Sequence, residues 1–323
     1  MTAEFDLIAR HFSRPVPAGM LGAGDDCALM PVPPGRQLAA STDMLLCGRH
    51  FFPDVDPAAL GHKALAVNLS DLAAMGAQPL GCLLGLALPR ADDAWLAAFA
   101  DGFYALAERH GCPLAGGDTT RGKELAISVT VFGAIDPDRA LPRSAAQAGD
   151  DIWVSGELGA ADLALRLMQG SLPADPARLA LARVALEWPA PQLALGRELA
   201  GIAHAAIDIS DGLMQDLGHI LAASGCGAEL RYASVPAHES LQGVPEPVRR
   251  QALLAGGDAY QLCFTAAPAR RARIEQAGAR AGARVTLIGT VQAEPGLRVR
   301  LPDGGLLPPM PGGFDHFRDA HGA

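Results

Sequence analysis

The stretch DPAALGHKALAVNLSDLAAMGAQP, residues 56–79, constrains this chain more than any other. It reads as one helix. Asp56 suits the N-cap, Pro57 the first turn and Gly76 the stop. Between these signals the segment is written mostly in Ala, Leu, Val and Met, yet it carries Asn68 and Asp71. Three residues apart, the two share one helical face. A carboxylate on an apolar helical surface must be hydrogen-bonded, paired or bound to a metal. Two plain alternatives stand beside the metal: an exposed polar stripe, or an ion pair with Lys63, two turns earlier on nearly the same face.

The oddity recurs. Acidic residues follow small residues at the ends of apolar runs in GDD (24–26), STD (41–43), NLSD (68–71), GGDTT (116–120), IDISDG (207–212) and GGD (256–258). Most read as junctions where a strand meets a turn, which is where mixed α/β folds build sites. Asp208 and Asp211 flank Ser210 just before a helix, and any one such group is explained by capping alone. Six groups without matching basic residues call for a cation. Hard oxygen donors in quantity select Mg2+, Mn2+ or Ca2+, and the EF-hand spacing is absent. Clustered Mg2+ points to phosphate. The Walker pattern and the kinase HRD and DFG set are both missing. Metal ions and glycine amides would then carry the phosphate charge, and AGGDTTRG supplies both in what reads as one tight turn. Arg143, in ALPRS, reads either as a surface residue or as a phosphate contact.

Composition narrows the remaining classes. The chain has 323 residues, half of them hydrophobic, and a net charge of −9. No Lys/Arg-rich stripe appears, which argues against nucleic acid and anionic membranes as partners. The six cysteines lack CxxC spacing, so buried free thiols in a reducing compartment are expected. The opening MTAEFDLIARHF carries Glu4 and Asp6 and lacks an apolar signal core. The longest apolar run, PLGCLLGLALP, is too short to span a bilayer and reads as a buried strand. A cytoplasmic protein is expected.

Strands are expected at 36–45 and 124–135, and a helix at 92–111 with Trp95, Phe99, Phe103 and Leu106 on one face. A boundary is expected near 140–150, where RALPRSAAQAGDDIWVSGELG reads as a connection containing a new strand. Beyond it helices are expected near 158–169, 177–187, 192–201, 212–224, 246–255 and 268–281. Strands are expected near 205–209, 228–234, 259–265 and 284–292. The tail LPPMPGGFDHF reads as an irregular segment folded back on the body. The picture is two mixed domains in sequence.

Six stretches taken together, GAGDDCAL, STDMLLCGRHF, KALAVNLSDLAAMGAQP, AGGDTTRG, IDISDGLMQDLGHI and GGDAYQLCF, resemble in order and spacing the motifs of the thiamine-monophosphate kinases. Those enzymes belong to an ATP-binding superfamily that includes aminoimidazole ribonucleotide synthetase, selenophosphate synthetase and a hydrogenase maturation factor. The resemblance spans nearly the whole chain, and GRHF after STD favours the thiamine branch. It implies a two-domain synthetase-like fold. Residues 1–143 would form an N-terminal α/β domain that binds ATP and Mg2+ and dimerises through its sheet. Residues 144–323 would form a C-terminal α+β domain completing the site, with ATP in a cleft near the dimer interface.

Carried over residue by residue, the resemblance implies that Asp26, Ser41, Thr42, Asp43, Asp71, Asp118, Asp208 and Asp211 hold several Mg2+ ions. Tyr104, Gly117, Asp118, Arg143 and Ser210 would serve ATP. His50, Asp258 and Phe314 would contact thiamine monophosphate. His50 also reads as a packed histidine, and Phe314 as ordinary core. The implied reaction is direct transfer of the γ-phosphoryl group of ATP to the phosphate of thiamine monophosphate, with no protein nucleophile. Small-molecule substrates and a second copy of the chain are the implied partners. One departure stands out: the family pattern Gly-Gly-Glu-Asp-Tyr-Glu-Leu is here GGDAYQL, at 256–262. Missing carboxylates there would weaken the end of the site that meets the cationic thiazolium, unless they were structural. This keeps open a related ATP-dependent enzyme with another acceptor, or a non-catalytic ATP- and Mg2+-binding dimer.

Overall fold

The computed structural model describes residues 3–308 and 313–314. The chain divides into two compact units. The first takes the chain up to Ala140 together with Glu187–Leu193, and the second takes Leu141–Leu186 and the chain from Ala194 onward.

The first unit contains α1 (Ala3–His11), β1 (Gln37–Leu46), α2 (Pro57–Met75), β2 (Gln78–Leu88), α3 (Asp93–His110), β3 (Leu114–Arg121) and β4 (Ala126–Ile135). The strands form one sheet in the order β1-β4-β2-β3. β4 pairs antiparallel with β1 and β2, and β2 pairs parallel with β3. The caps of α2 are those the sequence announces. Asp56 accepts from the Ala59 amide at 2.9 Å, Pro57 opens the helix, and Gly76 closes it at φ 73°. Every residue from Ala59 to Ser70 is buried, so α2 is a central rod rather than a half-exposed helix. α3 crosses it with no room to spare. A Cβ at Gly61 would lie 2.0 Å from the Phe99 carbonyl oxygen, and one at Gly102 would lie 1.9 Å from that of Ala58. Phe99, Phe103 and Leu106 fill the α3 side of the core. The segment Glu187–Leu193 joins this unit through α2: the ring nitrogen Nε2 of His62 lies 2.8 Å from the Pro189 carbonyl oxygen, and its ring packs on Trp188.

The second unit contains β5 (Asp151–Ser155), α4 (Ala160–Met168), α5 (Pro176–Glu187), α6 (Leu193–Leu199), β6 (Ala205–Asp208), α7 (Leu213–Ser224), β7 (Gly227–Arg231), α8 (Glu246–Ala255), β8 (Leu262–Ala266), α9 (Arg271–Ala281), β9 (Val285–Gln292) and β10 (Gly296–Arg300). Its sheet runs β10-β7-β9-β5-β8-β6, antiparallel except for β10 beside β7. Ile152, Ile207, Leu213, Leu217, Ile220 and Ile288 are central to its core. Both units are thus mixed α and β, the second largely antiparallel.

Several local expectations change. LAGGDTTR is not a turn but β3, because the parallel ladder to β2 overrides its turn-prone composition. β8 begins at Leu262 rather than 259, because Asp258 and Tyr260 take left-handed backbone conformations. α9 begins at Arg271 after a single 3-10 turn at Pro268–Arg270. α1 and β10 lie outside the elements expected from the sequence. Of the expected tail segment, residues 309–312 and 315 onward lie outside the described residues.

The α2–α3 crossing generates a stability prediction. Gly102→Ala forces the Ala58 backbone away and costs about 2–4 kcal/mol, an overpacking penalty without a flexible neighbour to absorb it. Urea unfolding checks it, and Gly111→Ala, in the open C-cap of α3, separates this clash from the left-handed strain of a glycine turn.

Candidate functional site

The first unit gathers its polar residues against α2. Ser41, Asp43 and Leu45 alternate along β1, and Leu45 is buried, so all three face the helix side of the sheet. Ser41 Oγ donates to Asp71 Oδ2 at 2.5 Å. The Asp43 amide donates to Asn68 Oδ1 at 2.9 Å, and Asn68 Nδ2 donates back to the Ala64 carbonyl at 3.0 Å. Asn68 and Asp71 therefore grip β1 at alternate residues, which locks strand register to helix rotation. Thr42 faces the other way, where its hydroxyl accepts from Thr130 Oγ1 at 3.0 Å. His50 Nδ1 accepts from the Leu46 amide at 2.9 Å, which leaves the proton of the neutral imidazole on Nε2.

Asp118 lies within β3, in register with Gly85 of β2. The neighbouring position must be glycine: Gly117 has φ 153°, and a Cβ there would meet the Leu84 carbonyl oxygen at 1.9 Å. Gly117 and Asp118 line a cavity of about 1220 Å³, which Asp25 and Asp26 also line. Asp26, Gly117 and Asp118 are thus brought to one concave surface, while Ser41, Asp43 and Asp71 lie on the α2 side of the sheet. β1 and β3 are the outer strands, with β4 and β2 between them. Three strand spacings of roughly 4.8 Å separate them, about 14 Å in all. Contrary to expectation, Asp43 and Asp118 sit inside strands rather than at strand–turn junctions.

Tyr104 is on the buried face of α3. Its hydroxyl has no hydrogen-bond partner among the described residues, the Arg14 guanidinium lies 3.8 Å from its ring centre, and burial pushes the phenol up to about 12.

In the second unit the site is built on Ile209–Gly212, the link from β6 to α7. Asp208 ends β6 and is only 4% exposed. Asp216, in the first turn of α7, accepts from the amides of Asp211 at 3.1 Å and Gly212 at 3.0 Å. Burial, reinforced by the Asp211 charge, pushes the Asp216 carboxyl up to about 7. Gln215 Nε2 donates to Asp211 Oδ2 at 3.3 Å and to the Phe314 carbonyl at 2.9 Å, and the Phe314 amide donates to the Asp211 carbonyl at 3.1 Å. Phe314 is 39% exposed, so it is not core, and its backbone is tied beside Asp211. The Asp258 amide donates to the Ser210 carbonyl at 2.8 Å, which brings Asp258 to the same link. Arg143 is exposed, and its carbonyl accepts from Ser224 Oγ at the end of α7, at 2.9 Å.

The altered stretch GGDAYQL acquires a physical account. Ser155 Oγ donates to Gln261 Oε1 at 2.7 Å and accepts from the Leu262 amide at 2.8 Å. Gln261 thus props up the β5–β8 pair, a task that needs an acceptor but no charge. Asp216 and Tyr260 were not anticipated from the sequence. The first announces itself only as an acid in the first turn of the helix after IDISDG, and the second by nothing local. Among the described residues, no group of three or more His, Cys, Asp or Glu side chains is close enough to hold a metal ion.

Comparisons with known proteins assign the family. Residues 24–135 match the AIR synthase related protein N-terminal domain, and residues 147–302 match the C-terminal domain. Thiamine-monophosphate kinase of Escherichia coli strain K12 is 43% identical over 322 residues, covering 97% of this chain and 98% of that one. The enzyme of that name from Salmonella typhimurium is 44% identical over 297 residues, covering 90% and 91%. The crystal structure of thiamine-monophosphate kinase from Stenotrophomonas maltophilia K279a superposes with a TM-score of 0.83 at 43% identity, over 93% of this chain and 95% of that one. A second structure, AaThiL complexed with AMPPCP and TMP, superposes with a TM-score of 0.76 at 28% identity, over 89% and 90%. The chain is a two-domain member of the AIR synthase related proteins. Within that class it belongs to the thiamine-monophosphate kinases.

The Asp216 cap is testable by stability alone. Asp216→Leu strands two amides and costs about 2–3 kcal/mol, whereas Asp216→Asn keeps an acceptor and costs less. Because the folded carboxyl titrates above its unfolded value, the folded state binds the extra proton. Stability therefore falls as pH rises from about 4 to about 7. Chemical unfolding in metal-free buffer should show that decline in the wild type and a flatter profile in Asp216→Asn.

Proposed function

We infer that this chain transfers the γ-phosphoryl group of ATP to thiamine monophosphate, giving ADP and thiamine diphosphate. The observation that carries the reading is full-length kinship with thiamine-monophosphate kinases at 43% identity. The solved relative in complex with AMPPCP and TMP supports both substrates. The acceptor is a phosphate monoester, already anionic at neutral pH, so no general base is required. The protein's task is in-line positioning and charge neutralisation. A reading with a different acceptor rested on GGDAYQL, and the Ser155–Gln261 pairing removes the need for a charge at 261.

Asp26, Ser41, Thr42, Asp43, Asp71, Asp118, Asp208 and Asp211 offer hard oxygen atoms of the kind Mg2+ selects, and in this reading they would hold several Mg2+ ions together with the phosphates of the substrates. Bound Mg2+ would supply neutralisation of the phosphate charge. Within this reading Ser41 orients the Asp71 carboxylate, and Asn68 holds the β1 backbone at Asp43. Gly117 lets β3 approach β2 closely beside Asp118, and Arg143 and Ser210 serve ATP. Tyr104, a buried residue of α3, would serve the ATP side as well. His50, Asp258 and Phe314 take the thiamine end. A catalytic nucleophile is not part of the mechanism.

We assign the working form as a homodimer. The sheet face opposite α2 carries Leu38, Met44 and Leu46, all exposed along β1. One chain holds Asp43 and Asp118 on opposite outer strands, about 14 Å apart by strand spacing, too far for one ion. A second copy closing the sheet edge to edge would bring β1 of one protomer near β3 of its partner. No described helix is long and apolar enough to cross a membrane. Six free cysteines and ATP dependence suit the cytoplasm.

The direct test incubates the protein with ATP, Mg2+ and thiamine monophosphate and quantifies the products by chromatography. Equal amounts of ADP and thiamine diphosphate are expected; ADP without thiamine diphosphate would assign another acceptor. Asp71→Asn still accepts from Ser41 but loses a charge, so turnover should fall about a hundredfold or more while the melting temperature holds. Co-expressed Asp43→Asn and Asp118→Asn chains test the composite site. Each alone is inactive. Random pairing gives heterodimers with one intact site of two, so about a quarter of wild-type activity should return. A site built from one chain would return none.

A further inference from the structure

Among the described residues, Asp258 and Tyr260 are the two non-glycine residues with positive φ, at 59° and 47°. Aspartate tolerates this region, but tyrosine gains nothing from it locally. Such strain persists only where the surroundings enforce it, and it concentrates at functional sites. The enforcement is visible. The Asp258 amide donates to the Ser210 carbonyl at 2.8 Å, and the Tyr260 amide donates to the Ile209 carbonyl at 2.8 Å. The Ile209 amide donates in return to the Gln261 carbonyl at 2.7 Å. The loop is zipped to the link that carries Asp208, Ser210 and Asp211. Tyr260 is 9% exposed, and its hydroxyl donates to Asp258 Oδ1 at 3.1 Å.

A glycine at 260 would relieve the strain but lose the hydroxyl that meets Asp258. We propose that Tyr260 is a positioning residue that fixes the Asp258 carboxylate for the cationic end of thiamine monophosphate. The proposal rests on the reading that Asp258 contacts that substrate. The Asp258 carboxylate is held in one orientation by a phenol two residues away. Ala259 and Gln261 need not contribute charge.

The test is steady-state kinetics on Tyr260→Phe, which keeps the ring and the backbone conformation and removes one hydroxyl. The KM for thiamine monophosphate should rise about three- to tenfold, the loss expected for one hydrogen bond to a carboxylate acting indirectly. The KM for ATP, kcat and the melting temperature should stay near wild type, a split that mere loosening of the loop would not produce. In an Asp258→Asn background the same substitution should raise KM no further, because the carboxylate it orients is gone. Calorimetric titration with thiamine monophosphate alone provides a readout free of turnover and should show the same loss. An unchanged KM in Tyr260→Phe, additive effects in the double variant, or an equal rise in the KM for ATP would overturn the positioning role alone. A wild-type protein that neither binds nor phosphorylates thiamine monophosphate would overturn the functional reading along with it.

Discussion

The grip of α2 on β1 is the constraint from which the first unit is built. A helix buried along its whole middle cannot carry a free carboxylate, and Asp71 is not free: Ser41 donates to it at 2.5 Å. One helical step away, Asn68 takes the Asp43 amide. These two bonds join residues i and i+3 of the helix to residues i and i+2 of the strand, so neither element can slide or rotate without breaking both. The apolar burial of α2 supplies the stability. The polar pair supplies the register, and it puts the oxygen atoms of Ser41, Asp43 and Asp71 on one side of the sheet.

That register has a cost elsewhere. α2 must lie close to the sheet, and α3 must lie close to α2, which leaves room only for hydrogen where the helices cross at Gly61 and Gly102. The same closeness recurs between β2 and β3 at Gly117. Gly117 and Asp118 line the same cavity, so this close approach sits directly beside a carboxylate on a concave surface. In the second unit the same logic uses other parts. Asp216 ties down the amides of Asp211 and Gly212, so the link after β6 is rigid although it is irregular.

The sequence was legible where one residue has one physical meaning. Asp56, Pro57 and Gly76 mark the ends of α2, and Asp92 and Gly111 mark those of α3, because a cap is a local bond. It was illegible where the deciding partner is distant. LAGGDTTR is turn-prone by composition and becomes a strand because β2 offers it a ladder. Asp43 and Asp118 read as residues at strand ends for the same reason. Of the candidate site, the Ser41 partner of Asp71 was equally out of reach, because only the fold brings β1 across from α2. Asp216 and Tyr260 stayed hidden, since each matters through residues that only the fold brings near.

The position of charge in the GGDAYQL stretch follows from this distinction between local and distant meaning. Read along the chain, replacing a glutamate by Gln261 looks like the loss of a substrate contact. Read in space, the side chain at 261 answers to Ser155, whose hydroxyl already accepts from the Leu262 amide and therefore needs an acceptor opposite. An amide oxygen meets that need as well as a carboxylate does, and it spares the second unit a half-buried charge. Charge is kept at Asp258, where the backbone is held in a left-handed turn and the Tyr260 hydroxyl meets the carboxylate. The substitution pattern thus follows the local electrostatics: charge is surrendered at a residue that supports strand pairing, and retained at one whose carboxylate a phenol holds in place.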